Sequence, residues 1–189
     1  MRTLIVTEFM SLDGVVDSPG GGDHPRAGWT FKEVEFEEAA YELKAREQEE
    51  AEALLIGRRT WEDFHPVWPT MPEFERYNAL PKYVVSTTLD EPTVAASEWQ
   101  PMTLLRSLDE VAALKEGGSG QIQVHGSPAL ARSLAAAGLV DRYHLLVFPL
   151  LLGSGKRLFS DDSAGGKLRL VEQASYANGV QKLCYDVVR

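Results

Sequence analysis

A single cysteine, Cys184, stands among the 189 residues, so neither an intrachain disulfide nor a cysteine-built zinc site can form. A reduced, cytoplasmic compartment is the expectation, with Cys184 read as a half-buried strand residue. Cations are scarce too: 19 Lys and Arg face 28 Asp and Glu, a formal net charge of −9. Nucleic-acid binders draw most of their affinity from clustered Lys and Arg, so that class is not expected. No run of about 18 apolar residues could span a membrane, and Glu8 and Asp13 interrupt the apolar segment that a secretory signal needs. The four histidines, His24, His65, His125 and His144, form no H-x-x-x-H pair and no carboxylate cluster at ligand spacing, so no metal is expected. Also missing are G-x-G-x-x-G, G-x-x-x-x-G-K-[ST] and G-x-S-x-G, which removes the ordinary Rossmann, P-loop and α/β-hydrolase readings. Internal repeats and composition breaks are absent, which leaves one domain over residues 1–189 as the economical division.

What is present alternates strand and helix. TLIVTEF at 3–9 is a β-branched apolar run closed by the turn-prone SLDG at 11–14. Residues 18–28, rich in glycine and proline, read as a mobile surface loop or lid. A helix is predicted from Thr30 to about Glu52, with Thr30 as N-cap, Glu33 as capping-box partner, and Phe36, Ala40 and Leu43 on its apolar face. Short strands follow at 53–57, 82–86, 102–106 and 121–126, with helices from about Thr60, at 107–116 and at 127–137. Strands separated by helices indicate a parallel sheet with right-handed crossovers. After Gly138 the pattern turns strand-rich, and Ala177-Asn178-Gly179 between two alternating runs predicts a closing antiparallel hairpin.

Three segments fall at the carboxyl ends of the parallel strands, where open α/β sheets bind ligands. Gly57-Arg58-Arg59-Thr60 offers close backbone approach, two guanidiniums and a helix start, which together make a phosphate cradle; solvated first-turn arginines are the alternative. Ser86-Thr87-Thr88 supplies hydroxyls. Gly126-Ser127-Pro128 combines a glycine turn, a capping serine and a proline suited to the first helical position. Each alone could be an ordinary turn. Their recurrence at equivalent ends of neighbouring strands is what one extended dinucleotide requires. Asp13 is either an Asx-turn residue or a carboxylate aimed at a polar ligand, and Gly153-Ser154-Gly155-Lys156 reads as a glycine-rich surface turn.

Taken together, SLDG (11–14), LLIGRRTWEDF (54–64), KYVVSTTL (82–89) and VHGSPALARSLAAAGLVDRYHLLVFPLLLGSGKRLF (124–159) resemble the dihydrofolate-reductase-like family. Within it they resemble the reductase domain of the bacterial riboflavin-biosynthesis deaminase/reductase and its stand-alone relatives. The resemblance implies an α/β, three-layer fold: a mostly parallel twisted sheet with helices on both faces and an antiparallel C-terminal hairpin. It also implies NADPH across the strand ends. Gly57, Arg58, Arg59 and Thr60 would hold its pyrophosphate and 2′-phosphate, Ser86 and Thr87 the adenosine ribose phosphate, and Gly126 and Ser127 the diphosphate. Asp13, Gly14 and Trp29 would border the nicotinamide and substrate, with Asp13 the leading catalytic candidate. A homodimer is implied as well. The sequence departs from dihydrofolate reductases proper in that Glu33, Glu35, Glu37 and Glu38 lie in no matching pterin-binding motif. Arg26 is the sole basic residue of the 18–30 segment.

The activity implied is hydride transfer from NADPH to a flat nitrogen heterocycle, an aminouracil-type pyrimidine or a pteridine, with the 18–28 loop closing over it. The alternative is a non-catalytic NADP-binding or sensing protein on the same fold. Residues 33–52 concentrate the acidity, with nine Glu against Lys44 and Arg46, and read as a solvated helix face.

Overall fold

The structure, a computed structural model, describes residues 1–161 and 163–189. The N-terminal apolar run forms β1 (Thr3–Ser11). It is followed by β2 (Ala51–Gly57), β3 (Lys82–Val85), β4 (Met102–Leu105), β5 (Gln121–His125), β6 (Arg142–Phe148), β7 (Lys167–Ser175) and β8 (Gln181–Val188). These strands make one sheet in the order β4-β3-β2-β5-β1-β6-β8-β7. All pairings from β4 through β6 are parallel; β8 then runs antiparallel to both β6 and β7. The closing hairpin turns at Ala177-Asn178-Gly179, with Gly179 at φ 85 and its amide bonded to Tyr176 O at 2.9 Å. Asn-Gly supplies the left-handed residue that such a turn needs.

Helices cover both faces. On one, α6 (Leu108–Glu116) and α7 (Pro128–Ala136) bring Val111, Ala131 and Leu134 onto Leu4, Val6, Leu55, Val124 and Leu145. On the other, α2 (Glu38–Glu50) packs Ala40 and Leu43 with Leu146 and Phe148. Beside it α3 (Arg58–Phe64), α4 (Glu75–Ala79) and α5 (Glu91–Ala95) pack Trp61, Tyr77 and Val94 on Leu54, Ile56 and Val84. The central strands β1, β2, β5 and β6 are therefore covered on both faces, which is why they read as nearly continuous apolar runs, while β7 stays exposed.

The long helix expected over 30–52 is broken. A single turn, α1 (Trp29–Lys32), ends before Glu33, and α2 starts only at Glu38. Thr30 makes no cap: its hydroxyl donates to Pro19 O at 2.9 Å, while Glu33 is paired with Arg26 and Phe36 is exposed. A continuous helix would also stack Glu33 on Glu37, a like-charge i,i+4 pair. At its far end the helix yields to β2 at Ala51, two residues earlier than the strand expected at 53.

Nor is the acidic face wholly solvated. Glu47 is buried, and its Oε1 accepts hydrogen bonds from Thr7 Oγ1 of β1 at 2.7 Å and meets His144 Nδ1 of β6 at 2.8 Å. Lys44 Nζ lies 3.2 Å from Oε2, and the Glu47 carbonyl accepts from Gln123 of β5 at 2.7 Å. Burial raises its pKa, but Lys44 and the contact with His144 outweigh that and hold it near 2.

Because the folded value lies below the unfolded one, this carboxylate's contribution to stability is complete above about pH 4.5 and is lost as pH falls toward 2. Glu47→Gln should cost about 3 kcal/mol at neutral pH, the scale of breaking a buried ion pair, and should flatten the acid limb. Urea unfolding followed across pH 2–7 measures both, and an unchanged midpoint at pH 7 would contradict the assignment.

Candidate active site

Parallel strands end on a common edge, so the segments leaving β4, β3, β2, β5 and β1 stand side by side in that order. Arg106, Ser86, Gly57-Arg58-Arg59, Gly126-Ser127 and Asp13-Gly14 thus form one rim. The 149–157 segment after β6 completes it.

At its centre the ends of β2 and β5 are tied together. Gly126 (φ 55) and Ser127 (φ 61) both adopt left-handed backbone, a conformation that a residue with a Cβ resists. A Cβ on Gly126 would also lie 3.3 Å from Thr60 Oγ1. The turn swings the Ser127 hydroxyl toward β2, where it accepts from the Gly57 amide at 2.9 Å and donates to buried Thr60 Oγ1 at 2.8 Å. Ser127 therefore does not cap α7 through its side chain as expected; its hydroxyl ties the two strand ends together. Ala131 is the first residue of α7 with a paired amide, to Ser127 O at 2.9 Å. The Ala129 and Leu130 N–H groups have no partner among the described residues, as a helix start leaves them. Gly57 has ordinary backbone, and a Cβ there would meet nothing closer than 3.7 Å; its glycine leaves room above the tie. Open amides between two glycines fit a diphosphate.

Arg58 and Arg59 are both exposed, and Arg58 Nε stands 3.7 Å from Glu62 of the next turn. Ser86 is buried, and its hydroxyl accepts from the Thr88 and Leu89 amides at 3.1 and 3.0 Å, so it shapes its own turn; Thr87 is exposed. Beside them Arg106, at the end of β4, donates to Ser86 O at 3.0 Å. Sequence reasoning passed over Arg106, although its place as the last residue of the MTLLR run, next to the Ser107 N-cap, marks a cation at a strand end.

At the other end of the rim, Asp13 accepts from Ser11 Oγ (2.6 Å), Leu152 N (3.1 Å) and Gly153 N (2.8 Å), and Arg157 Nη2 lies 3.6 Å away. Desolvation raises its pKa, but the bonds from Ser11 and the two amides prevail and hold it near 2. It is thus ionised at neutral pH, and through the Leu152 and Gly153 amides it anchors the 149–157 segment. Gly14 follows at φ 84, and its carbonyl accepts from Leu158 N at 3.1 Å. Trp29 is not a substrate wall. Its ring is completely buried, edge-on to Phe148 at 5.3 Å, with the indole N–H donating to Asp17 O at 2.9 Å. The loop expected to be mobile is pinned: Gly28 N bonds to Ser18 O at 2.9 Å, His24 Nε2 meets Ser154 O at 3.0 Å and Arg26 Nη1 donates to Leu151 O at 2.7 Å. The Gly153–Lys156 turn is thereby part of the same assembly.

On the face covered by α2 and α3, Phe9, Tyr41, Lys44, His65, Trp68 and His125 are partly exposed. Trp61 stacks on His65 at 4.2 Å and Phe64 on Trp68 at 4.2 Å, while His125 meets the edge of Trp68 at 5.8 Å. Lys44 Nζ sits over the Phe9 ring at 4.9 Å and donates to Thr7. His125 Nε2 is 3.1 Å from Tyr77 Oη, whose hydroxyl donates to Gln123 at 2.8 Å. Burial lowers the His125 pKa to about 4, with Glu47 and Lys44 acting in opposite directions, so the ring is neutral; its Nε2–H faces Tyr77 Oη and its Nδ1 is left as an acceptor. Flat aromatic walls with neutral hydrogen-bonding groups suit a planar heterocycle. The period of α2 could have marked Glu47, since it follows Ala40 and Leu43 on the apolar stripe.

The sequence pattern described as the RibD C-terminal domain matches residues 2–182. A Shewanella structure described as a riboflavin biosynthesis protein superposes with TM-score 0.78 at 20% identity, covering 100% of both chains. A pyrimidine reductase-like protein of Corynebacterium diphtheriae gives TM-score 0.68 at 17% identity, over 100% of this chain and 92% of that one. Dihydrofolate reductase of Enterococcus faecalis, complexed with NADP(H), gives TM-score 0.63 at 14% identity, over 99% and 97%. The fold is that of dihydrofolate reductase, as the sequence resemblance implied.

Asp13→Ala should free the 149–157 segment. Hydrogen exchange at the Leu152 and Gly153 amides is expected to rise at least about tenfold, the loss of one charge-assisted bond each, with β1 and β6 unchanged. Unaltered protection at both amides would remove Asp13 from this role.

Proposed function

The chain belongs to the RibD C-terminal domain family, and we propose that it is an NADPH-dependent reductase acting on a flat nitrogen heterocycle, a pyrimidine of the aminouracil type or a pteridine. The observation that carries this reading is the rim: a glycine turn and open helix-start amides at its centre, with three arginines toward the β4 end and an aromatic, neutral-histidine surface beside the centre. The names of the Corynebacterium and Enterococcus neighbours, a pyrimidine reductase-like protein and an NADP(H) complex, support it.

In this reading Gly57, Gly126, Ser127 and the Ala129 and Leu130 amides receive the diphosphate, and Thr60 keeps the turn beneath it in place. Arg58, Arg59 and Arg106 face the 2′-phosphate with Ser86 and Thr87, since guanidiniums reward a second dianion. The cofactor, when bound, supplies the hydride. Asp13 and Gly14 set the edge of the reacting end by fixing the 149–157 segment, and Trp29 supports that edge from below. Tyr41, Phe9 and Trp68 hold the planar substrate; Lys44 presents a hydrogen-bond donor to its ring edge and His125, whose Nε2–H is given to Tyr77 and Gln123, presents Nδ1 as an acceptor. A cytoplasmic homodimer belongs to the same reading: Leu168, Leu170 and Val171 stay exposed on the edge strand β7, where an unpaired strand invites a second copy.

Fluorescence titration should show saturable NADPH binding in preference to NADH. Arg58→Ala/Arg59→Ala should weaken NADPH by about 10- to 100-fold, the scale of two charge-assisted contacts, and leave NADH nearly unchanged. Equal loss for both cofactors would place the arginines away from the 2′-phosphate, and no binding by the wild-type chain would end the reductase reading.

A further inference from the structure

A chain of hydrogen bonds that can run in one direction only leads from α2 through β5 to the aromatic side of the candidate site. It starts at the Glu47 carbonyl, which can only accept. Gln123, completely buried, gives that carbonyl a hydrogen from Nε2 at 2.7 Å, and Gln121 Oε1, whose own amide nitrogen is taken by Glu50, lies 3.4 Å from the same nitrogen. With acceptors on both sides the Gln123 amide cannot be turned over, and its oxygen faces the other way. There Oε1 accepts from Tyr77 Oη at 2.8 Å, and burial pushes the Tyr77 hydroxyl up, so it keeps its hydrogen. That single hydrogen is spent on Gln123. Toward His125 Nε2, 3.1 Å from Tyr77 Oη and 3.4 Å from Gln123 Oε1, both oxygens are therefore left only as acceptors. Nε2 carries the ring hydrogen, because the partners of one imidazole nitrogen set the tautomer. Burial keeps the ring from taking a second hydrogen, so Nδ1 is a bare lone pair. It meets no partner among the described residues, and it is not sealed from solvent.

A donor stands beside this acceptor. His125 is the register partner of Thr7 on β1, and both side chains lie on the face covered by α2 and α4, where Thr7 Oγ1 donates to Glu47 and accepts from Lys44 Nζ. Lys44 spends a second hydrogen on Glu47 Oε2 at 3.2 Å and, with its side chain 16% exposed, keeps the third. Neighbouring strands thus present an N–H donor and a nitrogen acceptor on one face, among Phe9, Tyr41 and Trp68.

We propose that Gln123 is a positioning residue for substrate recognition: it locks His125 in the Nε2–H tautomer, so that the site takes a heterocycle by a ring N–H, given to His125 Nδ1, beside a carbonyl that accepts from Lys44. The complement of this pair is a lactam edge. The ligand rests on the reductase reading; the tautomer does not. Gln123→Leu reverses the group rather than loosening it: the Tyr77 hydroxyl, left without its acceptor, donates to His125 Nε2, and the ring hydrogen moves to Nδ1. Tyr77→Phe does not reverse it, since Gln123 Oε1 remains to receive the Nε2 hydrogen. A merely structural role would not separate the two variants in this way.

Nitrogen-15 spectra of histidine-labelled protein at pH 7 read the tautomer. Wild type and Tyr77→Phe should show His125 with a protonated Nε2 and a bare Nδ1, and Gln123→Leu the reverse. A bare Nε2 in the wild type would overturn the proposal, as would an unchanged tautomer in Gln123→Leu. Recognition is read by equilibrium binding of 5,6-diaminouracil and of 5,6-diamino-1,3-dimethyluracil, whose ring nitrogens carry no hydrogen. The wild type should prefer the unmethylated ring by about tenfold, the scale of one hydrogen bond and its unpaired acceptor, and Gln123→Leu should bring the two within about twofold. A preference that survives Gln123→Leu would mean that the methyl groups merely clash, which overturns the recognition role. Should Gln123→Leu fail to fold, His125→Phe takes its place in the binding comparison with the same expected loss of preference, and the wild-type spectrum decides the tautomer. If the wild type binds neither uracil, the substrate half of the reductase reading fails and the lactam with it, while the spectra still decide whether Gln123 sets the His125 tautomer.

Discussion

One ionised carboxylate sits sealed against the middle of the sheet, and the central elements converge on it. Glu47 receives Thr7 from β1, meets His144 from β6 and Lys44 from its own helix, and its backbone carbonyl receives Gln123 from β5. An uncompensated charge at this depth would cost several kcal/mol, so each partner must be in register for the fold to be tolerable at all. That requirement fixes α2 against β5, β1 and β6 at one position and orientation. The helix then carries Tyr41 and Lys44 to the rim, and Gln123 aligns Tyr77 and His125. The substrate side of the candidate site is in this sense a by-product of satisfying one buried charge.

The cofactor side depends on a different device. Between β2 and β5 the sheet is held at its very end by the Ser127 hydroxyl, and two successive left-handed residues are needed to place it. Glycine at 126 meets that demand without strain; serine at 127 is strained, and the hydroxyl's two partners compensate. The same backbone excursion turns the first amides of α7 outward. Strand tie and anion site are one structure, so a change to either disturbs both.

Much of this was legible in the residues. β-branched runs, the Asn-Gly turn and the glycines at strand ends each carry a local signal, and the fold followed from their order. Less legible were side chains whose partners are distant in sequence. Glu47 was hidden in a Glu-rich stretch whose bulk is solvated, and only its spacing from Ala40 and Leu43 sets it apart. Trp29 looked like a ligand wall beside a glycine-rich loop, yet Phe148 and Asp17 O bury it. At Glu33, where the helix breaks, the carboxylate pairs with Arg26, seven residues earlier. Asp13 showed its position but not its state, because the amides that saturate it belong to Leu152 and Gly153.

Asp13 and Glu8 sharpen the last point, since they share one strand and its turn. Amides, Ser11 and an arginine surround Asp13, and its carboxyl is held near 2; aliphatic neighbours surround Glu8, and its carboxyl is pushed to about 8. Environments that drive two carboxyl groups apart assign them different work at one pH. Asp13, its carboxyl held low by the Leu152 and Gly153 amides, positions the backbone of the 149–157 segment. The Glu8 carboxyl is pushed up by burial, and its Oε1 has no partner among the described residues. The amides and Ser11 hold the Asp13 carboxyl down, while burial among aliphatic side chains pushes that of Glu8 up.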